Sequence, residues 1–200
     1  MREEKKSDKV IAIYHAIEEL VAEGADLSSM RVSDIALRAG IGKGTTYEYF
    51  SSKEEMVVKA MIYLIDSMVK RILQQMGKCE TFKEKFVMLL DEMEEKTKQR
   101  ACIIKYLNML SDMHLCEQMR ESLSFENEYG NPMYLIRQLI LDGQKEGVIS
   151  ERHSQIYIEM TLFSRVISFA AFLDEKNYAG QLNHDRIKEE LYNGLCRELA

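Results

Sequence analysis

Of the 200 residues, one is proline, none is tryptophan and 10 are glycine. An all-β sandwich needs many tight turns, and this scarcity argues against one. The four cysteines, Cys79, Cys102, Cys116 and Cys196, stand too far apart for a Cys-x-x-Cys pair. They read as buried, reduced thiols. The nearest thing to a metal pattern is His114-x-Cys116, but residues two apart on a helix diverge by about 200°. No metal and no cofactor is expected. No apolar run approaches ~18–20 residues, and the charged start MREEKKSDK lacks a signal-like apolar stretch. A membrane span and a secretory signal are therefore not expected, and a cytoplasmic protein is. P-loop, GxGxxG and HExxH motifs and a Ser/His/Asp order are missing too. Glu94-Glu95 reads as a solvated face, so catalysis has no candidate residues.

A basic excess is also lacking. The formal charge is −6, with 8 Lys/Arg and 9 Asp/Glu in residues 1–53 and the remaining 19 and 24 in residues 54–200. This excludes a uniformly basic nucleic-acid coat. It leaves DNA binding open, because the charge of the docking face decides that.

What is present favours helices. Apolar residues make up 46% and charged residues 30%, with 13 methionines; Leu, Glu and Lys, also good helix formers, are plentiful. Val10, Ile13, Tyr14, Ile17, Leu20 and Val21 repeat at helical spacing, which predicts a helix from a Ser7 cap to about Glu23, ended by Gly24. Short helices follow at about 32–39, capped by Ser33 or its neighbours, and at about 43–50. Ser52 and Glu55 have capping-box spacing before a long helix ending near Gly77. Further helices are expected at 81–98, 101–115, 132–145, 154–174 and 184–199. The fold class is all-α.

The informative stretch is RVSDIALRAGIGKGTTYEYFSSK, residues 31–53. Two short helices joined by a glycine-containing turn have helix-turn-helix geometry, in which the second helix enters a major groove. Ile35, Ala36, Ala39, Ile41 and Phe50 hold the pair together, and Gly40 supplies a positive φ. Lys43, Thr45, Tyr47 and Tyr49 then present donors and apolar bodies, while Gly44 lets a ligand approach the backbone. Lys53 brings a cation and free N–H groups to the next helix start. The bare pattern also fits any two helices with a solvated face.

The same stretch resembles the TetR family of transcriptional regulators. IALRAGIGKGTTYEYFSSKEEMV follows the family's I-A-x-x-A-G-[VI]-x-x-G-T-[LI]-Y-x-[YH]-F-x-x-K-E-x-[LM]. A weaker likeness is LILDGQKEGVIS, residues 139–150, to G-Q-x-E-G-x-[IL]. The resemblance implies about nine helices. Residues 1–53 would form a DNA-binding domain and residues 54–200 an effector-binding and dimerisation domain. It implies a homodimeric repressor on a near-palindromic operator in double-stranded DNA, with Ser33, Lys43, Gly44, Thr45, Tyr47, Tyr49 and Lys53 at the DNA. Two residues depart from the pattern: Thr46 replaces Leu or Ile, which leaves a looser core or a satisfied hydroxyl, and Arg31 replaces a capping Thr.

In the resembled family the last two helices pair with their mates around a two-fold axis. Here that face would use Met160, Phe163, Ile167, Ala170, Leu191 and Leu195. A small, mostly apolar effector is expected in a pocket lined by Met61, Phe86, Tyr106, Met109, His114 and Tyr134. The long helix from Lys53 would act as the lever. The rival from another class is a helical ligand-binding or adaptor protein that no longer binds DNA.

Overall fold

The structure is a computed structural model, and it describes residues 8–25, 29–98, 133–174 and 183–200. These form eight helices and no strand among the described residues: α1 (Asp8–Ala22), α2 (Val32–Arg38), α3 (Lys43–Tyr49), α4 (Lys53–Met76), α5 (Phe82–Lys98), α6 (Met133–Lys145), α7 (Gln155–Asp174) and α8 (His184–Leu199). The all-α expectation holds. The helix expected at 101–115 lies outside the described residues, together with Cys102, Tyr106, Met109, His114 and Cys116. The described residues fall into two compact units, one running to Ser67 and the other starting at Met68. The division falls within α4.

In the first unit, α1 packs on α2 and α2 on α3. Its core is Ile13, Tyr14, Ile17, Val21, Ile35, Ala36, Phe50, Met56, Val57 and Met61, all buried. Glycine ends the first two helices as the sequence implies: φ is +98° at Gly24 and +68° at Gly40, the left-handed region that other residues avoid. A polar clamp adds to the α1–α2 contact. Arg38 Nη1 donates to Glu19 Oε2 at 3.1 Å and to Glu23 Oε1 at 2.8 Å, and Nη2 donates to Glu23 Oε2 at 2.8 Å. That pairing lowers the Glu23 pKa, the Arg38 hydrogen bond being the main cause.

Two capping expectations need correction. Ser33 does not cap α2: the N-cap is Arg31, with no side-chain bond, and Ser33 Oγ donates to Asp34 Oδ1 at 3.4 Å instead. Helix α2 begins two residues earlier than a cap at Ser33 would require. At α4, Ser52 Oγ accepts the Glu55 N–H at 3.0 Å, as its spacing predicts. The return arm slips by one residue, so Glu55 Oε2 accepts from the Ser51 N–H and the Ser51 hydroxyl, each at 2.6 Å.

The second unit is joined by ties between distant segments. Helix α5 opens with its own capping box: Thr81 Oγ1 accepts the Glu84 N–H and Glu84 Oε2 accepts the Thr81 N–H. Glu146, beyond α6, adds an acceptor 2.6 Å from the Phe82 N–H. Gly143 makes the α6–α5 contact possible. A Cβ there would stand 2.6 Å from Ile149 Cδ1 and 3.1 Å from Phe82 Cδ2. Lys188 of α8 is buried and donates to Asp91 and Glu94 of α5, each at 2.6 Å. Burial alone would lower its pKa, but the two carboxylates outweigh that and raise it.

Among the described residues, helix α7 comes nearest to a membrane span. Gln155–Leu173 is long and apolar enough to cross a membrane by length and composition, at a mean hydropathy of 1.5 over 19 residues. Its apolar residues are interrupted by two charges that the hydropathy average absorbs. Glu159 pairs with Arg137 at 3.2 Å, and Arg165 pairs with Glu198. The helix packs against α5, α6 and α8 on one side and leaves Ile156 and Met160 exposed.

Candidate nucleic-acid interface

Helix α3 is seven residues long and has one buried side chain, Thr46. Gly42 precedes it in an extended conformation, without a side-chain cap. The Thr45 N–H turns back to the Gly42 carbonyl at 2.9 Å, and the Phe50 N–H closes the other end on the Thr46 carbonyl at 3.1 Å. Thr46 and Phe50, four apart, face inward. The rest of α3 is exposed except for half-buried Thr45.

Of the residues expected at DNA, Ser33, Lys43, Gly44, Tyr47 and Tyr49 are exposed, and Thr45 and Lys53 are half-buried. Tyr47 is 48% exposed and Tyr49 36%. Such exposure is unusual for aromatics in a unit that buries Tyr14 to 3%. Tyr14 instead packs against Phe50 and Tyr63, with centroids 6.0 and 5.1 Å apart, and burial pushes its hydroxyl up to about 12.

Gly44 is informative because the fold does not require it. It does not have the positive φ seen at Gly24 and Gly40, and a Cβ there would meet no atom within 4 Å. Glycine inside a helix costs about 0.5–1 kcal/mol relative to alanine. The protein's own packing gives no return for such a cost.

Behind α3, Glu55 fixes the start of α4. Its carboxylate receives Lys59 Nζ at 2.6 Å as well as both Ser51 donors. The Lys59 hydrogen bond first, then those from Ser51, pull its pKa from 4.5 to about 2. Lys53 is the first residue of this helix. The arrangement offers a row of donors on α3 and a cation at an adjoining helix start, which suits base edges and a phosphate.

Sequence reasoning missed Arg38 and the exposed Leu37, 82% accessible on α2. Arg38 had a signal: its partners Glu19 and Glu23 stand four apart, at the end of α1 and in the turn that follows it. Leu37 had none, since one apolar residue in a short helix reads as core.

The other expected sites are spread out. Met61 is buried in the first unit; Phe86 is buried in the second, stacked on Phe82 and 6.3 Å from the Tyr192 centroid. Tyr134 is half-buried on α6. Tyr106, Met109 and His114 lie outside the described residues. One cleft in the second unit, about 460 Å³, is walled by Gln75, Met88, Asp91, Glu92, Glu94, Glu95, Asp185 and Lys188. It is charged, unlike the apolar effector pocket expected from the sequence. On α7 and α8, Met160 is 65% exposed and Phe163, Ile167 and Leu191 are half-buried, whereas Ala170 and Leu195 are at 0%. Those last two are already enclosed by their own chain and have no surface to give a partner. Ile156, 67% exposed one turn before Met160, has that surface.

Two short helices at a positive-φ glycine, with the second displayed and the first tied down, have helix-turn-helix geometry. Residues 13–60 match the family model of bacterial regulatory proteins, tetR family. That stretch is similar to the family's N-terminal region. It is 30% identical over 88 residues to the fatty acid metabolism regulator protein of Bacillus subtilis, a match covering 44% of this chain and 45% of that protein. The match thus spans under half the length of that curated relative. Among solved structures, the fatty acid degradation regulator FadR from Bacillus halodurans superposes with a TM-score of 0.71 at 20% identity, over 96% of this chain and 97% of that one. FadR from Bacillus subtilis in complex with stearoyl-CoA gives 0.71 at 19% identity, over 95% and 99%. These likenesses show that the fold extends well beyond the matched N-terminal stretch.

Proposed function

We propose that the protein is a sequence-specific DNA-binding repressor that acts as a homodimer and is released from its operator by a small, mostly apolar ligand. Gly44 carries the DNA reading: a glycine in the first turn of α3, on an exposed surface, with no internal reason to be glycine, marks where another molecule's atoms come close. Residues 1–53 are the DNA-binding domain of this proposal and residues 54–200 the effector and dimerisation domain. Helix α3 enters the major groove, Thr45 and Tyr49 read base edges, and Ser33 and Lys53 hold phosphates. The protein works in the cytoplasm.

The homodimer is supported by Ile156 and Met160, large apolar side chains left in water on α7. With Phe163, Ile167 and Leu191 they make up the proposed interface. Gly194, on α8, supports close approach of a second helix, since a Cβ there would also meet nothing within 4 Å. A two-fold dimer presents two α3 helices to a near-palindromic site. For the effector, the relative that holds stearoyl-CoA supports a ligand with a long acyl chain, bound by the C-terminal domain.

The test starts with selection of genomic fragments by the full-length protein, followed by binding at several salt concentrations. Gly44→Ala should raise thermal stability slightly through helix propensity and weaken operator binding at least tenfold. Thr45→Ala should lose about 1–3 kcal/mol on the operator and relax base preference. Lys53→Ala should weaken all sequences alike and reduce the salt slope by about one unit. A wild-type protein that selects no fragment would point to the ligand-binding or adaptor class instead. Light scattering at ~23 kDa only would refute the dimer.

A further inference from the structure

We propose that the Thr46 hydroxyl is a positioning group for DNA recognition: bonded to the Lys43 carbonyl inside α3, it sets the direction of the turn that carries Lys43, Gly44 and Thr45. The inference rests on the DNA-binding reading above and deepens it.

Three polar or charged side chains are buried among the described residues: Thr46, Thr161 and Lys188. The last two reach other helices. Lys188 binds Asp91 and Glu94 of α5, and Thr161 Oγ1 lies 3.3 Å from Glu198 Oε1 of α8. Their polar groups contribute to tertiary structure. Thr46 is different. It is fully buried, and its Oγ1 donates to the Lys43 carbonyl three residues back, at 2.6 Å, within α3 itself. This bond joins α3 to nothing else. An apolar side chain of the same shape would fill the same space and remove a hydroxyl from the interior.

The hydroxyl acts on the first turn of a helix of seven residues. That turn has no side-chain cap at Gly42. A threonine that bonds backward to a carbonyl in its own helix bends the helix slightly. In a long helix such a bend is absorbed along the axis. Here it changes the direction of the outward residues 43–45 relative to Tyr47 and Tyr49. The Thr46 carbonyl also accepts the Phe50 N–H at 3.1 Å, so one buried residue touches both ends of α3. Its methyl fills the core, and its hydroxyl sets the outer face.

Two substitutions separate those parts. Thr46→Val keeps the shape and removes the hydroxyl; Thr46→Ser keeps the hydroxyl and removes the methyl. Full-length variants are assayed on the operator selected by the wild type, on its single-base variants and on an unrelated duplex, with melting temperatures in parallel. Thr46→Val should melt no lower than wild type and bind the operator about three- to tenfold more weakly, the range one hydrogen bond is worth. Unrelated DNA should change less than about twofold, and the order of preference among base variants should shift, as expected when base contacts rather than phosphate contacts are disturbed. Thr46→Ser should melt lower and keep the wild-type order of preference. If Thr46→Val keeps wild-type affinity and preference, or weakens all DNA equally, the positioning role is overturned. The same follows if Thr46→Ser loses preference as Thr46→Val does. A wild type that selects no DNA fails at the earlier step and overturns the reading beneath it.

Discussion

The two units are tied together at different distances along the chain. In the first, the polar ties are short in sequence: Arg38 reaches back 19 and 15 residues to Glu19 and Glu23, and Glu55 reaches back four to Ser51. The second has local ties as well, such as Thr81 with Glu84, but adds long ones. Phe82 meets Glu146 across 64 residues, Lys85 meets Asp142 across 57, Lys188 meets Asp91 across 97 and Lys83 meets Glu189 across 106. Local ties leave a local pattern in the sequence. Distant ties close only once the chain has folded, because loop closure must come first.

The sharpest way to break this contrast is Lys188→Met. It leaves Glu94 half-buried beside Asp91 without the Lys188 ammonium, with His184 Nδ1 3.2 Å away as a remaining partner, and losing one partner of a buried pair costs about 3–5 kcal/mol. Asp91 is exposed, which places the expected loss near the lower figure. Chemical denaturation should show it, and adding Glu94→Gln should recover part of it. A loss under about 1 kcal/mol would mean that the distant ties contribute little to the second unit. Next comes Gly143→Ala, whose new methyl group meets Ile149 and Phe82. Overpacking costs about 1–3 kcal/mol, and the alanine returns up to about 1 kcal/mol of helix propensity. The variant should still be less stable than wild type, and Ile149→Val in the same chain should relieve it.

Glu55→Gln tests a local tie and has the smallest expected effect. The folded-state pKa is about 2, against 4.5 for a free side chain. The group is depressed by folding, so its stabilisation is present above pH 4.5 and is lost as pH falls toward 2. At neutral pH the variant should melt about 2–4 °C lower, the shift for a cap worth about 1 kcal/mol in a chain of this size. Melting curves of the two proteins should converge as pH drops from 4.5 toward 2. A gap that stays constant over that range would remove ionisation from the explanation.

The legibility of the sequence follows the same division. Gly24 and Gly40 announced their turns because no other residue adopts those angles cheaply. The exposed set on α3 was readable because Thr46 and Phe50 take its two inward positions. The helices of the second unit were readable by period, and their boundaries agree closely with expectation. Their mutual ties were not, since nothing around Glu146 says that it accepts a hydrogen bond from Phe82. Interior and exterior were also confused on α7 and α8. Ala170 and Leu195 share the helical spacing of Met160 and Leu191, and only the packed structure shows which are already enclosed. Ser33 failed as a cap because the same residue type serves at a helix's first positions and before them.

The Arg38 clamp has a consequence for how the protein would search a chromosome. Residues 1–53 carry 8 basic and 9 acidic side chains, and Arg38 is committed to two of the acids. In the proposed role Arg38 therefore adds little to the number of counterions displaced from DNA, the quantity with which nonspecific affinity scales, and holding to random sequence would fall to the other cations of that unit.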